Sequence, residues 1–158
     1  MIRKATPKDT EVIASIYNYY VKNAIATFEE EPISVKEMEK NITKAILWLV
    51  YVENEKVIGY AYASKWKARS AYRFTTECSV YLEPNSFNKG LGTKLYTHLF
   101  SALKKLKINS VIGGISLPNE VSQKLHENFG FEKVAHFKKI GFKFNKWIDV
   151  GYWQLFLT

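Results

Sequence analysis

The 158-residue chain contains little cysteine, proline or glycine: one Cys, four Pro and eight Gly. The single thiol, Cys78, excludes an intramolecular disulfide framework and leaves no thiol set for a structural zinc site, which favours a reducing compartment. No Pro/Gly/Ser-rich linker is present and 47% of the residues are hydrophobic, a composition typical of soluble globular proteins and not of disordered chains. We therefore expect a folded protein of the cytoplasm.

Long apolar runs are also missing. No window reaches the roughly 18 apolar residues that a membrane span needs, and charged residues occupy the first 30 positions where a signal peptide would have an apolar core. We expect no membrane partner. The chain shows no internal repeat and has the usual length of one domain, so we expect a single domain over residues 1–158.

Acidic residues are scarce relative to basic ones, 15 against 23, which gives a formal net charge of +8. Such a balance suits a nucleic-acid-binding protein, and it equally suits an enzyme whose ligand carries phosphates or carboxylates. The lysines are scattered, with only short clusters at 104–105 and 138–139. This scatter favours a solvated basic surface, so we expect no nucleic-acid partner.

Local patterns predict the secondary structure. Capping boxes at Thr6 with Asp9 and at Ser34 with Glu37 begin two helices, the second with apolar spacing as far as Ile46. A leucine stripe predicts a third helix after residues 90–92, and a short fourth helix follows residue 119. Strands are predicted at 1–4, 47–52, 57–63, 74–82, 110–117, 131–140 and 148–157. This order predicts an α+β (mixed α/β) domain with helices on both faces of a twisted mixed β-sheet.

Glu77 lies in the middle of the strand predicted at 74–82, on the opposite face from Cys78. A carboxylate there is disfavoured unless it faces water or a polar cleft. In a cleft, desolvation would raise the pKa of the carboxyl group and make it a candidate general base. A solvent-facing strand residue is the alternative.

The segment 88–93 carries two glycines at the predicted start of the third helix. Glycines let backbone N–H groups approach a ligand, and a helix N-terminus favours negative charge, so the segment suits a diphosphate with Lys89 and Lys94 nearby. The segment lacks a full dinucleotide fingerprint or P-loop. A tight turn ahead of a helix is the alternative.

Three other features are candidates for chemistry. Asn119 either caps the short helix or contacts a ligand, and His126 is either a packed histidine or a functional one. Residues 66–74 interleave three cations with three aromatic side chains, which suits an anionic small ligand or stacked bases. A solvated loop is the alternative for this segment.

Taken together and in order, ten short segments resemble the phosphinothricin N-acetyltransferase family of the GCN5-related N-acetyltransferase (GNAT) superfamily. The resemblance runs from Ile2 to nearly the end of the chain. At one position the chain departs from the pattern, because Phe87 stands where the superfamily's glycine motif has Gln or Arg. The segments are Ala26–Glu29, Val57–Ala63, Ala68–Tyr72, Thr76–Tyr81, Gly90–Gly92, Leu117–Asn119, Leu125–Glu127, Gly141–Lys143, Trp147–Val150 and Trp153–Gln154.

The resemblance implies acetyl-CoA-dependent transfer to the α-amino group of a small amino-acid-like acceptor, of the phosphinothricin, methionine sulfoximine or methionine sulfone type. It implies Glu77 as general base and His126 as a residue of proton transfer or substrate binding. It implies that no metal takes part in the reaction and, by analogy, that the protein forms a homodimer. Direct transfer needs no acyl-enzyme, so Cys78 is expected in the core.

The resemblance also implies the binding residues. Those expected to contact acetyl-CoA are Val80, Tyr81 and Leu82 on the pantetheine arm, Asn88, Lys89, Gly90, Leu91, Gly92, Thr93 and Lys94 on the pyrophosphate, and Asn119. Those expected around the acceptor are Phe28, Lys67, Arg69 and Tyr72, with Arg69 gripping a carboxylate or phosphinate.

Two other functions stay open on the sequence. An N-acetyltransferase of protein or peptide N-termini would share the cofactor motif but would need an open groove. A basic nucleic-acid-binding module would use aromatic residues of the 66–74 segment for stacking and would bind oligonucleotides with a steep salt dependence.

Overall fold

The computed structural model describes residues 1–87 and 89–158. Within them the chain forms four α-helices and one seven-stranded sheet. The elements are β1 Ile2–Lys4, α1 Thr10–Asn23, α2 Val35–Lys44, β2 Leu47–Glu53, β3 Lys56–Lys65, β4 Thr75–Leu82, α3 Leu91–Lys105, β5 Ser110–Leu117, α4 Glu120–Asn128, β6 Glu132–Lys143 and β7 Lys146–Phe156. The mixed α/β fold predicted from the sequence is confirmed.

Several element boundaries differ from the sequence prediction by a few residues, and two of the differences have a visible structural cause. Ile46 lies outside α2, because its amide donates to the Ala63 carbonyl of β3 and so already joins the sheet. The sixth strand was expected to end at residue 140 but continues to Lys143, where it turns into β7. Among the described residues, no helix is both long and apolar enough for a membrane crossing.

The sheet has the order β1-β2-β3-β4-β5-β7-β6. β4 and β5 are parallel neighbours, because the chain crosses over through α3 between them, and the other pairs are antiparallel. The parallel pairing covers only Thr75–Glu77 against Ser110–Ile112. Beyond it the two strands diverge and leave a notch in the middle of the sheet.

Apolar side chains fill both faces of the sheet. On one face, α3 packs its leucines and Tyr96 against a core that includes Cys78 and Trp153. On the other face, α1 and α2 cover Trp48 and Tyr60. The Asp9 carboxylate accepts from the Thr6 amide at 2.8 Å, as the predicted capping box requires, but this box caps a single 3-10 turn at Pro7–Asp9, and α1 begins after it at Thr10. Helices therefore cover both faces, as the sequence pattern predicts.

Lys143, near the end of β6, is buried, with only 2% of its surface exposed. Its ammonium donates to the backbone carbonyls of Ala24 and Thr27, both at 2.7 Å, and more distantly to that of Tyr20 at 3.5 Å. These carbonyls belong to the C-terminal end of α1 and the segment after it, where the helix dipole favours a cation. Lys143 thus fastens the segment after α1 to the far edge of the sheet.

Replacing this lysine is expected to destabilise the fold. Lys143→Met keeps most of the aliphatic volume but leaves the partly buried carbonyls of Ala24 and Thr27 without this donor, which costs about 1 to 3 kcal/mol of unfolding free energy. Urea denaturation followed by tryptophan fluorescence measures the change. Lys146→Met, at an exposed lysine that pairs with residue 143 across the hairpin, is the control and should change stability little. Equal stability of the two variants would contradict the role assigned to Lys143.

Candidate active site

The notch between β4 and β5 opens into a cavity of about 530 Å³. Five elements or their flanking segments contribute to its wall: the end of α1, β4, β5, α3 and α4. The lining residues are Tyr20, Ala24, Ile25, Ala26, Cys78, Ser79, Val80, Tyr81, Leu82, Phe87, Gly92, Tyr96, Gly114, Ile115, Ser116, Asn119, Val121, Ser122, Leu125 and His126. This cavity contains many of the residues that the sequence analysis proposes for acetyl-CoA.

The backbone of β4 faces this cavity at alternate residues. The Glu83 amide donates to Ile58 of β3, so odd-numbered residues of β4 direct their N–H and C=O groups at β3. Alternation then turns the backbone groups of Val80 and Leu82 toward the notch. The Tyr20 hydroxyl already binds the Leu82 carbonyl. Val80 therefore presents the backbone donor and acceptor that an extended ligand arm would need.

The glycine segment starts α3, as predicted. Gly90 is the N-cap and has φ +73°, a left-handed conformation that favours glycine. A side chain on Gly92 would approach Leu125 at 3.3 Å, so this glycine allows α4 to pack closely on α3. Leu91 is buried, so only its backbone could contact a ligand. The helix N-terminus and its glycines thus have both a packing role and the geometry of an anion site.

The charged and polar residues of this segment are exposed. Lys89, Thr93 and Lys94 lie on the surface at the start of α3, where lysines complement a phosphate-bearing ligand. Asn88 lies outside the described residues. Asn119 caps α4, its side-chain oxygen accepting from the Ser122 amide at 3.1 Å, and it also lines the cavity.

His126 is buried on α4, and both of its ring nitrogens have partners. Nδ1 lies 2.7 Å from the Ser122 carbonyl, which can only accept, so Nδ1 carries the proton. Nε2 lies 3.2 Å from the Tyr96 hydroxyl, which in turn lies 3.4 Å from the Cys78 thiol. Burial lowers the pKa of His126, so the imidazole is neutral near pH 7. The histidine lines the cavity as part of a chain of hydrogen bonds.

Glu77 stands at the last residue pair before β4 and β5 diverge. Burial raises the pKa of its carboxyl group, and the positive charge of Lys67 opposes that shift. The carboxylate lies above Gly114, where a Cβ would approach Oε2 at 3.4 Å. Glu77 is therefore partly buried and is not the fully solvent-facing strand residue that the sequence left open as the alternative.

The two residues expected to be catalytic lie on opposite faces of the sheet. A Cβ on Gly113 would collide with the His126 ring at 2.7 Å, whereas a Cβ on the next residue, Gly114, points at Glu77 and Tyr152. Successive residues of a strand point to opposite faces. The structure therefore does not bring Glu77 and His126 into contact.

The four residues expected around the acceptor are spread over two segments. Lys67 lies close enough to affect Glu77 and places its ammonium 4.9 Å from the centre of the Trp66 ring. Arg69 and Tyr72 are exposed in the loop between β3 and β4, and in the described part of the chain Arg69 has no acidic partner. Phe28, 40% exposed, lies against Gly141 of β6. Only Lys67 lies beside the carboxylate.

Sequence reasoning missed several residues of the site. No sequence pattern singles out Tyr96 of α3 or Tyr152 of β7. Gly113 and Gly114 carried a usable signal, because two glycines inside a strand indicate a close approach of other groups. Within residues 1–87 and 89–158, no group of three or more His, Cys, Asp or Glu side chains forms a candidate metal site.

Comparison with known proteins identifies the family of the chain. Residues 2–151 match the family model described as acetyltransferase (GNAT) domain. The chain is 36% identical to phosphinothricin N-acetyltransferase of Streptomyces viridochromogenes, over 97% of this chain and 85% of that protein. It is 32% identical to the L-methionine sulfoximine/L-methionine sulfone acetyltransferase of Salmonella typhimurium, over 98% and 92%.

A solved structure gives the same result for the fold. The crystal structure of a phosphinothricin acetyltransferase from Sinorhizobium meliloti, in complex with acetyl-CoA, is 35% identical to this chain. It superposes with a TM-score of 0.96 over 99% of this chain and 87% of that one. The chain is therefore a member of the GNAT acetyltransferases, in the branch that contains the phosphinothricin N-acetyltransferases.

Proposed function

We propose that this enzyme transfers the acetyl group of acetyl-CoA directly to the α-amino group of a small amino-acid-like acceptor, with Glu77 as the general base. The observation that carries this proposal is the partly buried Glu77 carboxylate at the point where β4 and β5 part, beside the cavity. Relatives named for acetylation of phosphinothricin and of methionine sulfoximine support the acceptor class.

The residues around the cavity fit acetyl-CoA. The Val80 backbone could bind the amides of the pantetheine arm, and Lys89 and Lys94 with the N-terminus of α3 could bind the pyrophosphate. When bound, acetyl-CoA supplies a thioester whose carbonyl carbon the amine attacks, with release of the CoA thiol. The relative from Sinorhizobium meliloti with the same fold was solved with acetyl-CoA.

Glu77 would remove a proton from the acceptor's ammonium group. Only the neutral amine has the lone pair that attacks a carbonyl carbon, so a base is needed near pH 7. Burial brings the pKa of Glu77 up toward the working pH, which suits a general base, and such proton transfer contributes about 10²- to 10⁴-fold. The proton passes to the carboxylate directly or through a water molecule.

His126 would act on the other side of the sheet. His126 and Tyr96 share a proton in the hydrogen bond between them, and both residues line the cavity, where the acetyl donor would lie. Because the sheet separates it from Glu77, His126 would handle a different proton from the one that the carboxylate removes. A neutral imidazole can accept or pass on such a proton.

For the acceptor, Arg69 would bind the carboxylate or phosphinate group through its planar guanidinium, with Lys67, Tyr72 and Phe28 around it. All four side chains are exposed and therefore accessible to a small molecule. We also propose the cytoplasm as the location, since the one thiol is free and buried.

We further propose a homodimer formed through the β6–β7 hairpin. β6 is the edge strand of the sheet, and large apolar side chains are exposed along this hairpin. They are Val134, Phe137, Ile140, Phe142, Phe144 and Trp147. A cluster of this size on a protein surface is typical of a protein interface.

Glu77→Gln is expected to lower kcat by about 10²- to 10⁴-fold and to leave acetyl-CoA affinity unchanged, because it removes the base and keeps the shape. In the wild type, activity should fall as pH drops through the raised pKa of Glu77, since the protonated carboxyl accepts no proton. That acid limb should vanish in the variant. Thiol release from acetyl-CoA, measured by absorbance across pH, tests this. Glu53→Gln, at an exposed strand residue, is the control, and full activity of Glu77→Gln would refute the mechanism.

The acceptor class is tested with the same assay. The panel contains phosphinothricin, methionine sulfoximine, methionine sulfone, ordinary amino acids and a short peptide with a free N-terminus. Turnover of the first three supports the proposal, and turnover of the peptide alone would make the enzyme a peptide N-acetyltransferase instead.

Arg69→Lys is expected to raise the acceptor KM severalfold and to leave the acetyl-CoA KM nearly unchanged, because an ammonium cannot form the bidentate contact. Steady-state kinetics with either substrate varied gives both constants. Arg73→Lys makes the same exchange in the same loop and serves as control. Equal rises of both KM values would show that Arg69 is not an acceptor contact.

The dimer is tested by light scattering after size-exclusion chromatography. The wild type is expected at twice the mass of the chain, and Phe142→Asp/Trp147→Asp at the mass of one chain, because two charges cannot be buried in an apolar interface. Leu106→Asp, at an exposed leucine far from the hairpin along the chain, should remain dimeric. A monomeric wild type would rule the dimer out.

A further inference from the structure

Gly114 is an exposed position inside a buried stretch of β5. Its neighbours Gly113 and Ile115 are buried, as is Ile112. Gly114 pairs with Tyr152 of β7, but it lies beyond the last pair that β5 forms with β4. Gly114 therefore lies on the edge of the notch and also lines the cavity.

The space above Gly114 is bounded by two groups. A Cβ built there would lie 3.1 Å from Cε1 of the Tyr152 ring and 3.4 Å from Oε2 of Glu77. A group that packs on the exposed Cα of Gly114, beyond the point that a Cβ would occupy, therefore lies beside both a carboxylate oxygen and an aromatic ring. An ammonium group is the chemical group that both neighbours attract, one by charge and the other through its π-electrons.

Other side chains hold Tyr152 in place. Its ring meets Trp66 edge to face, with the centroids 5.7 Å apart and an angle of 74°. It meets Phe137 in the same way at 5.9 Å and 82°. Burial and the neighbouring Glu77 raise the pKa of the Tyr152 hydroxyl, so the ring is neutral near pH 7. Trp66 and Phe137 therefore form an aromatic support that fixes one wall of the space.

We propose that the acceptor's amino nitrogen is seated against the exposed Cα of Gly114, between Glu77 and Tyr152, and that Gly114 and Tyr152 determine which acceptors bind there. This inference rests on the proposed function. In this seat the nitrogen lies next to the Glu77 carboxylate. It also lies at the edge of the notch and so faces the cavity. A side chain at 114 would fill this seat, and a Cβ there would also contact the Tyr152 ring at 3.1 Å. The backbone of Gly114 does not have a positive φ, so no backbone conformation requires glycine there.

Gly114→Ala tests the seat, since alanine fits the backbone and places one methyl group in it. The acceptor kcat/KM should fall at least about tenfold. The dissociation constant of CoA, measured by calorimetry, should stay within about twofold, because the backbone groups of β4 and the start of α3 are untouched. Ile112→Val, two residues earlier on the same strand face, is the control and should retain wild-type activity.

The loss of activity in Gly114→Ala, compared between small and large acceptors, distinguishes a site for the amino nitrogen from a site for the acceptor's side chain. If the nitrogen itself sits above Gly114, small and large amino-acid acceptors lose activity by a similar factor in Gly114→Ala. A loss that grows with acceptor size would place the acceptor side chain there instead and would overturn the proposal. A loss of CoA affinity equal to the loss of acceptor turnover would overturn it as well.

Tyr152→Leu is the second test and does not depend on the folding of Gly114→Ala. Leucine keeps apolar bulk but removes the ring, so the acceptor KM should rise severalfold with little change in CoA affinity, and Tyr152→Phe should reverse most of that rise. An acceptor KM equal to that of the wild type in Tyr152→Leu would overturn the role of the ring. Failure of the wild type to acetylate any acceptor would refute the proposed function; an active wild type with a fully active Gly114→Ala would refute only this inference.

Discussion

The separation of β4 from β5 after three residue pairs is the constraint on which the rest of the site depends. A continuous parallel ladder would satisfy the backbone groups of β4 beyond Glu77 and close the sheet. Because the strands diverge, alternate amides and carbonyls of β4 face a cavity, and the sheet has an opening in its middle. Each strand is stabilised on its other side, β4 by β3 and β5 by β7, so the opening does not leave either strand unsupported.

The opening also explains how one site can use two faces of a sheet. Glu77 lies on the face covered by α1, and the chain of Cys78, Tyr96 and His126 lies on the face covered by α3 and α4. A sheet normally keeps its faces apart, so groups on opposite faces cannot act on one reaction. In the proposed reaction, the notch would allow an acceptor and an acetyl donor to meet from opposite sides, with Glu77 on one side and His126 on the other.

Local chemistry was predictable from the sequence, and the relations between distant segments were not. The two capping boxes and the alternation that isolates Glu77 depend on residues close in the chain, so the pattern alone predicts them. The position of His126 across the sheet from Glu77 depends on how α4 packs on α3 and β5, which no short spacing encodes. The burial of Lys143 was not predictable either, because its partners lie more than 100 residues away. The resemblance to known acetyltransferases supplied the roles but not this arrangement.

Lys143 anchors the segment after α1, which is synthesised long before the lysine itself. The ammonium and the carbonyl of Ala24 are separated by 119 positions in the chain. During synthesis the first helix leaves the ribosome long before the lysine that anchors its far end, and β7 follows later still. The wall of the cavity that residues 24–26 provide cannot be fixed by this lysine until residue 143 has emerged. A nascent chain that ends before residue 143 can therefore contain five complete strands of the sheet and still lack the anchored form of this wall.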